Sequence, residues 1–329
     1  MIKPLAVALG DPAGVGPEIV AKAWELRAAR GIRPFFAVGD CDALAAVWDG
    51  PVEAIADPAD AAACFATALP VIRVSAGVPI VPGTPDMEGA RNSLDALELA
   101  VGLTRSGAAS GLVTGPVSKS QLYAIGFNHP GQTEFVAERC GVSSELVAMM
   151  LVGPSLRTVP VTVHTAFRDV PSVLTADRIV AKARATVRGL QRQFGIEQPR
   201  IAVAGLNPHA GEDGALGREE IDVIVPAIER MREEGFCVTG PHAADTMFHA
   251  RARSRYDAAL CMYHDQALVP VKTLHFEEGV NMTLGLPIVR TSPDHGTAFG
   301  IAGTGQADPG AMIAALLTAA SCAQRFSQA

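Results

Sequence analysis

Short apolar runs alternate along this chain with longer segments in which apolar residues recur at helical spacing. Residues 5–9 (LAVAL) and 200–206 (RIAVAGL) are typical of buried strands, whereas residues 88–106, 175–194 and 218–234 have the period of amphipathic helices. We interpret the charged face of the third helix as solvated surface. This alternation predicts an α/β fold with a largely parallel sheet. At 329 residues the chain can hold two domains, each with its own core.

Composition narrows the class of protein. Apolar residues make up 49% of the chain and charged residues only 19%, as in a well-buried globular protein. The net charge is -7 and no long Lys/Arg cluster is present, which argues against a nucleic-acid partner. The N-terminal apolar run is too short to span a bilayer, and we interpret it as the first strand. The six cysteines form no CxxC pair, so we expect reduced, mostly buried thiols in a cytoplasmic protein.

Three histidines share one setting, because each follows an apolar run and opens a polar turn. His164 ends VPVTVH, His209 follows IAVAGLNP, and His264 lies in residues 262–272 (MYHDQALVPVK), which we interpret as a buried strand. Ligands of open α/β sheets bind beyond the carboxyl ends of strands, so the three histidines can converge on one crevice. Each alone is more simply a capping or loop residue. Together they favour a site for a divalent transition metal with a coordination position open for substrate.

Several other polar residues are candidates for chemistry. Asp245, placed shortly before a predicted strand, is interpretable as a metal ligand or base and equally as a helix or turn cap. Lys119, Lys272 and Arg290 lie near predicted strand ends and can bind a phosphate or carboxylate, and the Asn281 amide can donate to the same anion. Each alone is more often a surface residue. Beside a metal, they suggest a small anionic substrate.

Two glycine-rich stretches match no nucleotide fingerprint. Residues 10–18 (GDPAGVGPE) fit neither GxxxxGK[ST] nor GxGxxG. Residues 294–310 (DHGTAFGIAGTGQADPG) also lack both patterns, but their glycines permit close approach to a flat or charged ligand. A nicotinamide enzyme built from this chain would therefore not use an ordinary Rossmann fingerprint.

Seven motifs together resemble the 4-hydroxythreonine-4-phosphate dehydrogenase family of vitamin B6 biosynthesis. They extend over nearly the whole chain and read GDPAGVGPE, TGPVSK, GQTEF, GLNPHAGEDG, MYHDQ, VNMTLGLPIVRTSPDHGTA and IAGTGQAD. The first motif and the HGTAxxIAG segment also resemble those of isocitrate and isopropylmalate dehydrogenases. The resemblance implies a two-domain α/β/α subunit, a homodimer, and an active site in the interdomain cleft at the dimer interface. We expect residues 1–130 plus 291–329 to form the nucleotide-side domain, and residues 131–290 to form the metal, substrate and dimerisation domain.

The resemblance also implies roles for individual residues. It implies a divalent metal on His164, His209 and His264, and we assign His264 to the neighbouring subunit's site. The implied substrate-binding residues are Gln132, Thr133, Lys272, Asn281 and Arg290. Residues 294–306 are implied to contribute to NAD binding, with Asp294, His295, Gly296 and Gly303 as the candidates.

One residue departs from the family pattern. The family usually has His-Thr where this chain reads GQTEF, so Gln132 stands where a substrate-binding histidine is common. Glutamine can donate and accept a hydrogen bond, but it carries no charge near neutral pH. The departure bears on substrate choice and leaves the metal chemistry intact.

The reaction that the resemblance implies is the metal- and NAD(P)-dependent oxidation of 4-phosphooxy-L-threonine. The product, 2-amino-3-oxo-4-phosphooxybutanoate, loses CO2 to give 3-amino-2-oxopropyl phosphate. We expect the metal to lower the pKa of the C3 hydroxyl and Asp245 or Lys272 to accept its proton. Zinc, magnesium, manganese and cobalt all stay open as the metal, although imidazole ligation favours zinc or cobalt.

Three other functions remain open from the sequence. The nearest is a paralogous dehydrogenase of 4-phospho-D-erythronate or D-threonate, for which Gln132 is the discriminating residue. A metal-dependent phosphohydrolase is disfavoured by the HGTAxxIAG segment, and a non-catalytic binding protein by the complete histidine set. NAD and NADP are not distinguished by these residues, and we expect neither a nucleic-acid nor a membrane partner.

Overall fold

The computed structural model describes residues 3–74 and 80–326. The chain divides into two compact units, the first made of Met1–Cys140 with Pro287–Gln328 and the second of Gly141–Leu286. The expected boundaries were 130/131 and 290/291. Gln132, Thr133 and Arg290 therefore lie in the first unit, whereas we had expected all three in the metal domain. The assignment of nucleotide and metal functions to the two domains stays a prediction.

Short strands recur through both units. In chain order they are β1 (Leu5–Ala8), β2 (Phe35–Gly39), β3 (Val52–Ala54), β4 (Leu69–Arg73), β5 (Leu112–Thr114), β6 (Ala148–Gly153), β7 (Leu156–Pro160), β8 (Arg200–Ala204), β9 (Cys237–His242), β10 (Ala258–Cys261), β11 (Val280–Leu284) and β12 (Arg290–Pro293).

The strands of the first unit form a parallel sheet in the order β3-β4-β2-β1-β5-β12. Ala6 on the central strand β1 lies opposite Phe36 on one side and Leu112 on the other. All the residues of β1, β2 and β5 are buried, as expected for strands covered on both faces. The predicted α/β fold with a largely parallel sheet is therefore confirmed.

The second unit orders its strands β11-β6-β7-β10-β8-β9. The neighbouring strands β7, β10, β8 and β9 are parallel to one another, whereas β6 runs antiparallel to both β11 and β7. The β6–β7 hairpin turns at residues 154–155, where the sequence reads GPS. Antiparallel pairing therefore enters at the hairpin, because a tight turn cannot join parallel strands.

Helices connect these strands. In chain order the α-helices are α1 (Gly16–Glu25), α2 (Arg27–Arg30), α3 (Cys41–Ala45), α4 (Ala61–Cys64), α5 (Met87–Arg105), α6 (Lys119–Ala124), α7 (Gln132–Arg139), α8 (Val170–Val173), α9 (Ala176–Phe194), α10 (Val225–Glu233), α11 (Ala250–Arg253), α12 (His264–His275) and α13 (Gly310–Phe326). Thr175 caps the start of α9 by accepting a hydrogen bond from the Arg178 amide at 3.2 Å, and α9 ends at Gly195 in the left-handed conformation.

The interpretation of residues 262–272 as a strand is wrong, because they enter helix α12. Pro270 and the flanking valines disfavour a helix locally, but packing outweighs that preference. Ala267, Leu268 and Val271 are buried in the core of the second unit. Gln266 also anchors the first turn, accepting from the Met262 amide at 2.6 Å and donating to the Gly205 carbonyl at 2.7 Å.

The cysteines are reduced, as expected, but they are less buried than expected. Cys261 and Cys322 are buried, whereas Cys237 is exposed at the start of β9, a strand at the edge of its sheet. Among the residues that the structure describes, we find no helix long and apolar enough to cross a membrane.

Candidate functional site

Arg290 provides a buried positive charge at the start of β12, where its side chain is only 3% exposed. Its guanidinium donates to the Thr114 hydroxyl at 2.7 Å, the Gln132 side-chain oxygen at 3.2 Å and the Thr133 hydroxyl at 3.5 Å. Burial lowers the pKa of Arg290 to about 10, against the opposing attraction of Glu134. The group is therefore still protonated at neutral pH. These three hydrogen-bond partners are neutral, and the Glu134 carboxylate is an acidic group that acts on Arg290 electrostatically.

The first turn of α7 lies beside this guanidinium. Gln132 and Thr133 are its first two residues, and Gln132 also donates to the Gly115 carbonyl at 3.1 Å. A Cβ atom at Gly131, the residue before the helix, would lie 3.7 Å from the Lys119 ammonium nitrogen and 3.3 Å from a Glu134 carboxylate oxygen. The positive end of the helix, Lys119 and Arg290 therefore form a cationic site within the first unit, which the Glu134 carboxylate adjoins. We call these groups the anion site.

Thr114 belongs to the anion site but was not singled out from the sequence. It is the last residue of β5 and is 1% exposed. A polar residue closing a buried parallel strand was the available signal, since ligands collect beyond such strand ends.

His164 and His264 are brought together in the second unit, with ring centroids 6.3 Å apart and ring planes 36° from parallel. His264 is the first residue of α12, and its Nδ1 lies 2.7 Å from Oδ1 of Asp265. When Nδ1 carries a proton and donates it to this carboxylate, the lone pair of Nε2 is available to a ligand. Orientation of an imidazole by a carboxylate is typical of histidines that bind metals. Asp265 is thus a further residue of the candidate metal site.

His209 lies on a backbone segment of unusual geometry. The φ angles of His209, Ala210, Glu212 and Asp213 are 51°, 53°, 43° and 53°, in the left-handed region that residues other than glycine avoid. Such strain costs roughly 1–2 kcal/mol per residue and persists only where the surroundings impose it. A run of this kind at a candidate metal ligand is consistent with a functional segment.

Glu220 holds the start of the strained segment. It is 3% exposed and accepts from the Leu206 amide at 2.7 Å, the Asn207 amide at 2.8 Å and the Asn207 side chain at 2.9 Å. The interpretation of the charged face of residues 218–234 as solvated surface is therefore wrong at Glu220. Periodicity could not distinguish it from the exposed glutamates of the same segment, because its partners lie more than ten residues away in the chain.

The three histidines are not assembled into one cluster. In residues 3–74 and 80–326, no group of three or more His, Cys, Asp or Glu side chains is placed to hold a metal ion. The resemblance assigns one of the three ligands to a second subunit, so one chain is not expected to gather all three. The structure pairs His264 with His164 of its own chain. The metal site of His164, His209 and His264 stays a prediction.

The other candidate residues of the second unit lie on three different elements. Asp245 is exposed in the Ala244–Thr246 turn. The sequence placed it shortly before a strand, whereas in the structure it directly follows strand β9. Lys272 is half-buried on α12, roughly two turns after His264. Asn281 lies on β11, and its Oδ1 is buried with no hydrogen-bond partner in the described part of the chain. Such an unsatisfied acceptor is a candidate contact for a bound ligand.

The predicted nucleotide segment lies in the first unit. Asp294 is half-buried, and His295 is exposed with its Nδ1 3.0 Å from the Gly296 carbonyl oxygen. Gly303 has a φ of 73°, and its amide donates to the buried carboxylate of Glu18 at 3.1 Å. Glu18 was not singled out from the sequence. None of these contacts identifies a nucleotide, so the cofactor roles stay predictions.

The glycines of residues 10–18 serve packing. A side chain at Gly10 would lie 2.3 Å from the Pro116 carbonyl oxygen, and one at Gly16 only 2.0 Å from that of Leu9. This close packing leaves Asp11 1% exposed, and burial raises its pKa to about 6, with a further contribution from Asp86. Residues 10–18, which match no nucleotide fingerprint, therefore form a tight turn from strand β1 into helix α1.

Comparison with known proteins agrees with this geometry. The model of the family "Pyridoxal phosphate biosynthetic protein PdxA" matches residues 32–319. The 4-hydroxythreonine-4-phosphate dehydrogenase of Zymomonas mobilis is 56% identical over 322 residues, covering 98% of this chain and 96% of that protein.

Solved structures give the same result. The crystal structure of 4-hydroxythreonine-4-phosphate dehydrogenase from Klebsiella pneumoniae has a TM-score of 0.87 and 36% identity, covering 98% of this chain and 100% of that one. A terephthalate 1,2-cis-dihydrodiol dehydrogenase from Burkholderia xenovorans has a TM-score of 0.66 and 30% identity, with 98% of both chains covered. With the family model, the relatives and the solved structures in agreement, the chain belongs to the PdxA family of pyridoxal phosphate biosynthetic proteins, whose members are oxidoreductases.

Proposed function

We propose that this protein is a metal- and NAD(P)-dependent dehydrogenase that oxidises the C3 hydroxyl of 4-phosphooxy-L-threonine. The observation that carries the substrate class is the anion site, where the Arg290 guanidinium is buried beside a helix N-terminus and Lys119 lies beside Gly131. Cationic side chains at a helix N-terminus are suited to binding a phosphate ester. The relative from Zymomonas mobilis, which is named for this substrate, is identical at 56% of the aligned positions.

The anion site binds the phosphate in this proposal. The Arg290 guanidinium and the Lys119 ammonium would contribute positive charge to phosphate binding, and the Thr133 hydroxyl would donate a hydrogen bond. Gln132 remains neutral and orients the guanidinium through its side-chain oxygen. The unsatisfied oxygen of Asn281 accepts a hydrogen bond from the substrate's ammonium or hydroxyl group.

His164, His209 and His264 are the residues that would hold the metal. The Asp265 carboxylate would favour the tautomer of His264 that leaves the Nε2 lone pair available to a metal. A bound divalent metal would supply Lewis-acid polarisation of the substrate oxygens. Asp245 and Lys272 are the candidates for the base that takes the hydroxyl proton. Residues 294–306 would hold NAD(P), which would supply the hydride acceptor, and the β-keto acid product would lose CO2.

Two alternatives remain. The dihydrodiol dehydrogenase from Burkholderia xenovorans, at 30% identity, is named for a substrate without a phosphate group, so the fold alone does not define the substrate. The second is a paralogue acting on 4-phospho-D-erythronate or D-threonate, for which Gln132 is the residue to test.

Steady-state turnover tests the proposal. The protein is stripped of metal with a chelator, supplied with one divalent metal at a time, and assayed for NADH or NADPH formation on each phosphorylated substrate. We expect turnover of 4-phosphooxy-L-threonine, its loss in the metal-free protein, and its return with zinc or cobalt. In His209→Ala we expect neither metal binding nor turnover. His129, which packs against Phe127 and Phe135, provides a control substitution to Gln outside the proposed site.

Release of inorganic phosphate without reduction of either nucleotide would identify a phosphohydrolase instead. Full activity in His209→Ala would remove the histidines from the mechanism. Homodimerisation, the metal ligand shared between subunits and the cytoplasmic location remain part of the proposal, and sedimentation of the holoenzyme tests the first of them.

A further inference from the structure

The backbone of residues 303–307, called here the 303–307 loop, is held by two side chains of helix α1. Glu18 is 2% exposed, and its two carboxylate oxygens accept from the Gly303 and Ala307 amides, each at 3.1 Å. Lys22, one turn later, donates to the Glu18 carboxylate at 2.8 Å and to the Gly305 and Ala307 carbonyls, each at 2.7 Å. The two ends and the middle of the loop are thus each bound to α1.

The chemistry of this contact favours a positioning role over a purely stabilising one. A buried carboxylate paired with a partly exposed lysine adds little stability compared with well-packed apolar residues of similar volume, because the carboxylate loses its hydration. Its hydrogen bonds are directional, however, and they specify the backbone of a loop whose residues 303–306 are exposed. Gly303 and Gly305 adopt φ of 73° and 75°, so the loop has little regular structure of its own.

Helix α1 also contacts the preceding part of the nucleotide segment through the turn before it. The Val15 amide donates to the Thr297 carbonyl at 3.0 Å, and a side chain at Gly14 would lie 3.0 Å from the same oxygen. The residues just before α1, together with its first two helical turns, therefore hold the backbone at residues 297 and 303–307. The outer face of the 303–307 loop stays exposed.

We propose that Glu18 and Lys22 are positioning residues that hold the 303–307 loop in its nucleotide-binding geometry before the cofactor arrives. The proposal rests on the proposed function, since it takes the ligand of this loop to be NAD(P). An ordered loop loses less conformational entropy on binding than a mobile one. Loss of the contact should therefore weaken nucleotide affinity and leave the chemical step and the anion site nearly unchanged.

The test is Glu18→Gln, with Glu25→Gln as the matched control. Glu25 is the exposed last residue of the same helix. In the part of the chain that the structure describes, its carboxylate accepts a hydrogen bond from the Trp48 indole at 2.8 Å, and not from the 303–307 loop. Glutamine at 18 keeps one acceptor oxygen but presents an NH2 group to the other backbone amide. We expect faster hydrogen exchange of the 303–307 amides and an NADH dissociation constant raised about tenfold in a fluorescence titration. The KM for NAD should rise similarly, with kcat and the KM for the phosphorylated substrate within about twofold.

Lys22→Met is a second variant in case Glu18→Gln fails to fold, because Lys22 is partly exposed and its loss leaves the amide contacts of Glu18 intact. Like Glu18→Gln, Lys22→Met should raise the NADH dissociation constant, and Lys22→Arg should restore much of the affinity. Faster exchange in the loop with unchanged NADH affinity in both variants overturns the positioning role, while continued turnover with NAD leaves the proposed function standing. A wild-type protein that binds neither NADH nor NADPH overturns both, before any variant is made.

Discussion

The anion site of the first unit and the His209 segment of the second unit are both kept in unfavourable states, but by different means. Arg290 keeps a positive charge in a buried position, which is an electrostatic cost. His209 and its neighbours adopt left-handed backbone angles, which is a conformational cost. The anion site should therefore respond to changes of charge and pH. The His209 segment should respond to substitutions that change the backbone angles a residue can adopt. Both costs are expected where structure serves binding rather than stability.

The support of the two sites also differs. In the proposed function Arg290 itself contacts the ligand, and Thr114, Gln132 and Thr133 accept hydrogen bonds from its guanidinium. In the second unit the buried charge is Glu220, which lies behind the His209 segment and bonds to its backbone. A substitution at Arg290 should hence affect binding first, and one in the His209 segment should affect the backbone first.

Among the substitutions that test the difference between the two sites, Arg290→Met is expected to have the largest effect. The variant loses the charge that binds phosphate, so kcat/KM for the phosphorylated substrate should fall about a hundredfold or more. The free energy of unfolding should change little. Loss of three hydrogen bonds costs about 1 kcal/mol each, while a pKa lowered from 12.5 to about 10 implies that removing the buried charge relieves about 3 kcal/mol.

Steady-state kinetics and urea unfolding of the same samples measure both quantities. Arg139→Met on helix α7 is the control, since Arg139 forms a surface ion pair with Glu98 at 2.7 Å that should contribute less than about 1 kcal/mol. A large loss of stability with normal turnover in Arg290→Met would make Arg290 a structural residue.

The second effect concerns Asp11, another buried ionisable residue of the first unit. Its folded pKa of about 6 lies above the ordinary 3.8, so the folded state binds the proton more tightly than the unfolded state. Stability is then fully present below about pH 4 and falls as the pH rises through 6. Asp11→Asn should remove this loss, and the variant should exceed the native protein by about 3 kcal/mol at pH 8 and by less at pH 5.

Urea unfolding at pH 5 and pH 8 measures the difference, with Asp95→Asn, at an exposed position of α5, as the control. An equal effect of Asp11→Asn at both pH values would mean that Asp11 has an ordinary pKa.

The smallest effect is expected from Ala210→Gly in the His209 segment. Ala210 has a φ of 53°, which glycine adopts without a steric penalty, so the substitution should stabilise the protein by about 0.5–1 kcal/mol. The same substitution at Ala181, inside helix α9, should instead destabilise by about 1 kcal/mol. Opposite signs in thermal or urea unfolding would support the left-handed geometry, whereas the same sign at both positions would contradict it.

The fold was largely predictable because it rests on local pattern. Helix α9, expected at 175–194, lies at Ala176–Phe194, and helix α5, expected at 88–106, lies at Met87–Arg105. Helix α12 was the main error, because a proline and two valines in its middle read as strand while the core of the second unit required a helix. Strand β3 was missed because it is short and mostly exposed.

The sequence by itself determined the α/β class, the chemical types of the candidate ligands and, through its motifs, the family, since these depend on residue identity and local period. Only the tertiary structure decided the partners of each polar group. It joined Arg290 to Thr114 and Gln132, Glu220 to Asn207, and Glu18 to the 303–307 loop, across chain separations of 13 to 289 residues. Hydrogen bonds depend on distance in space and leave no periodic signal in the chain, so the same residue types read as surface until the fold brings their partners to them.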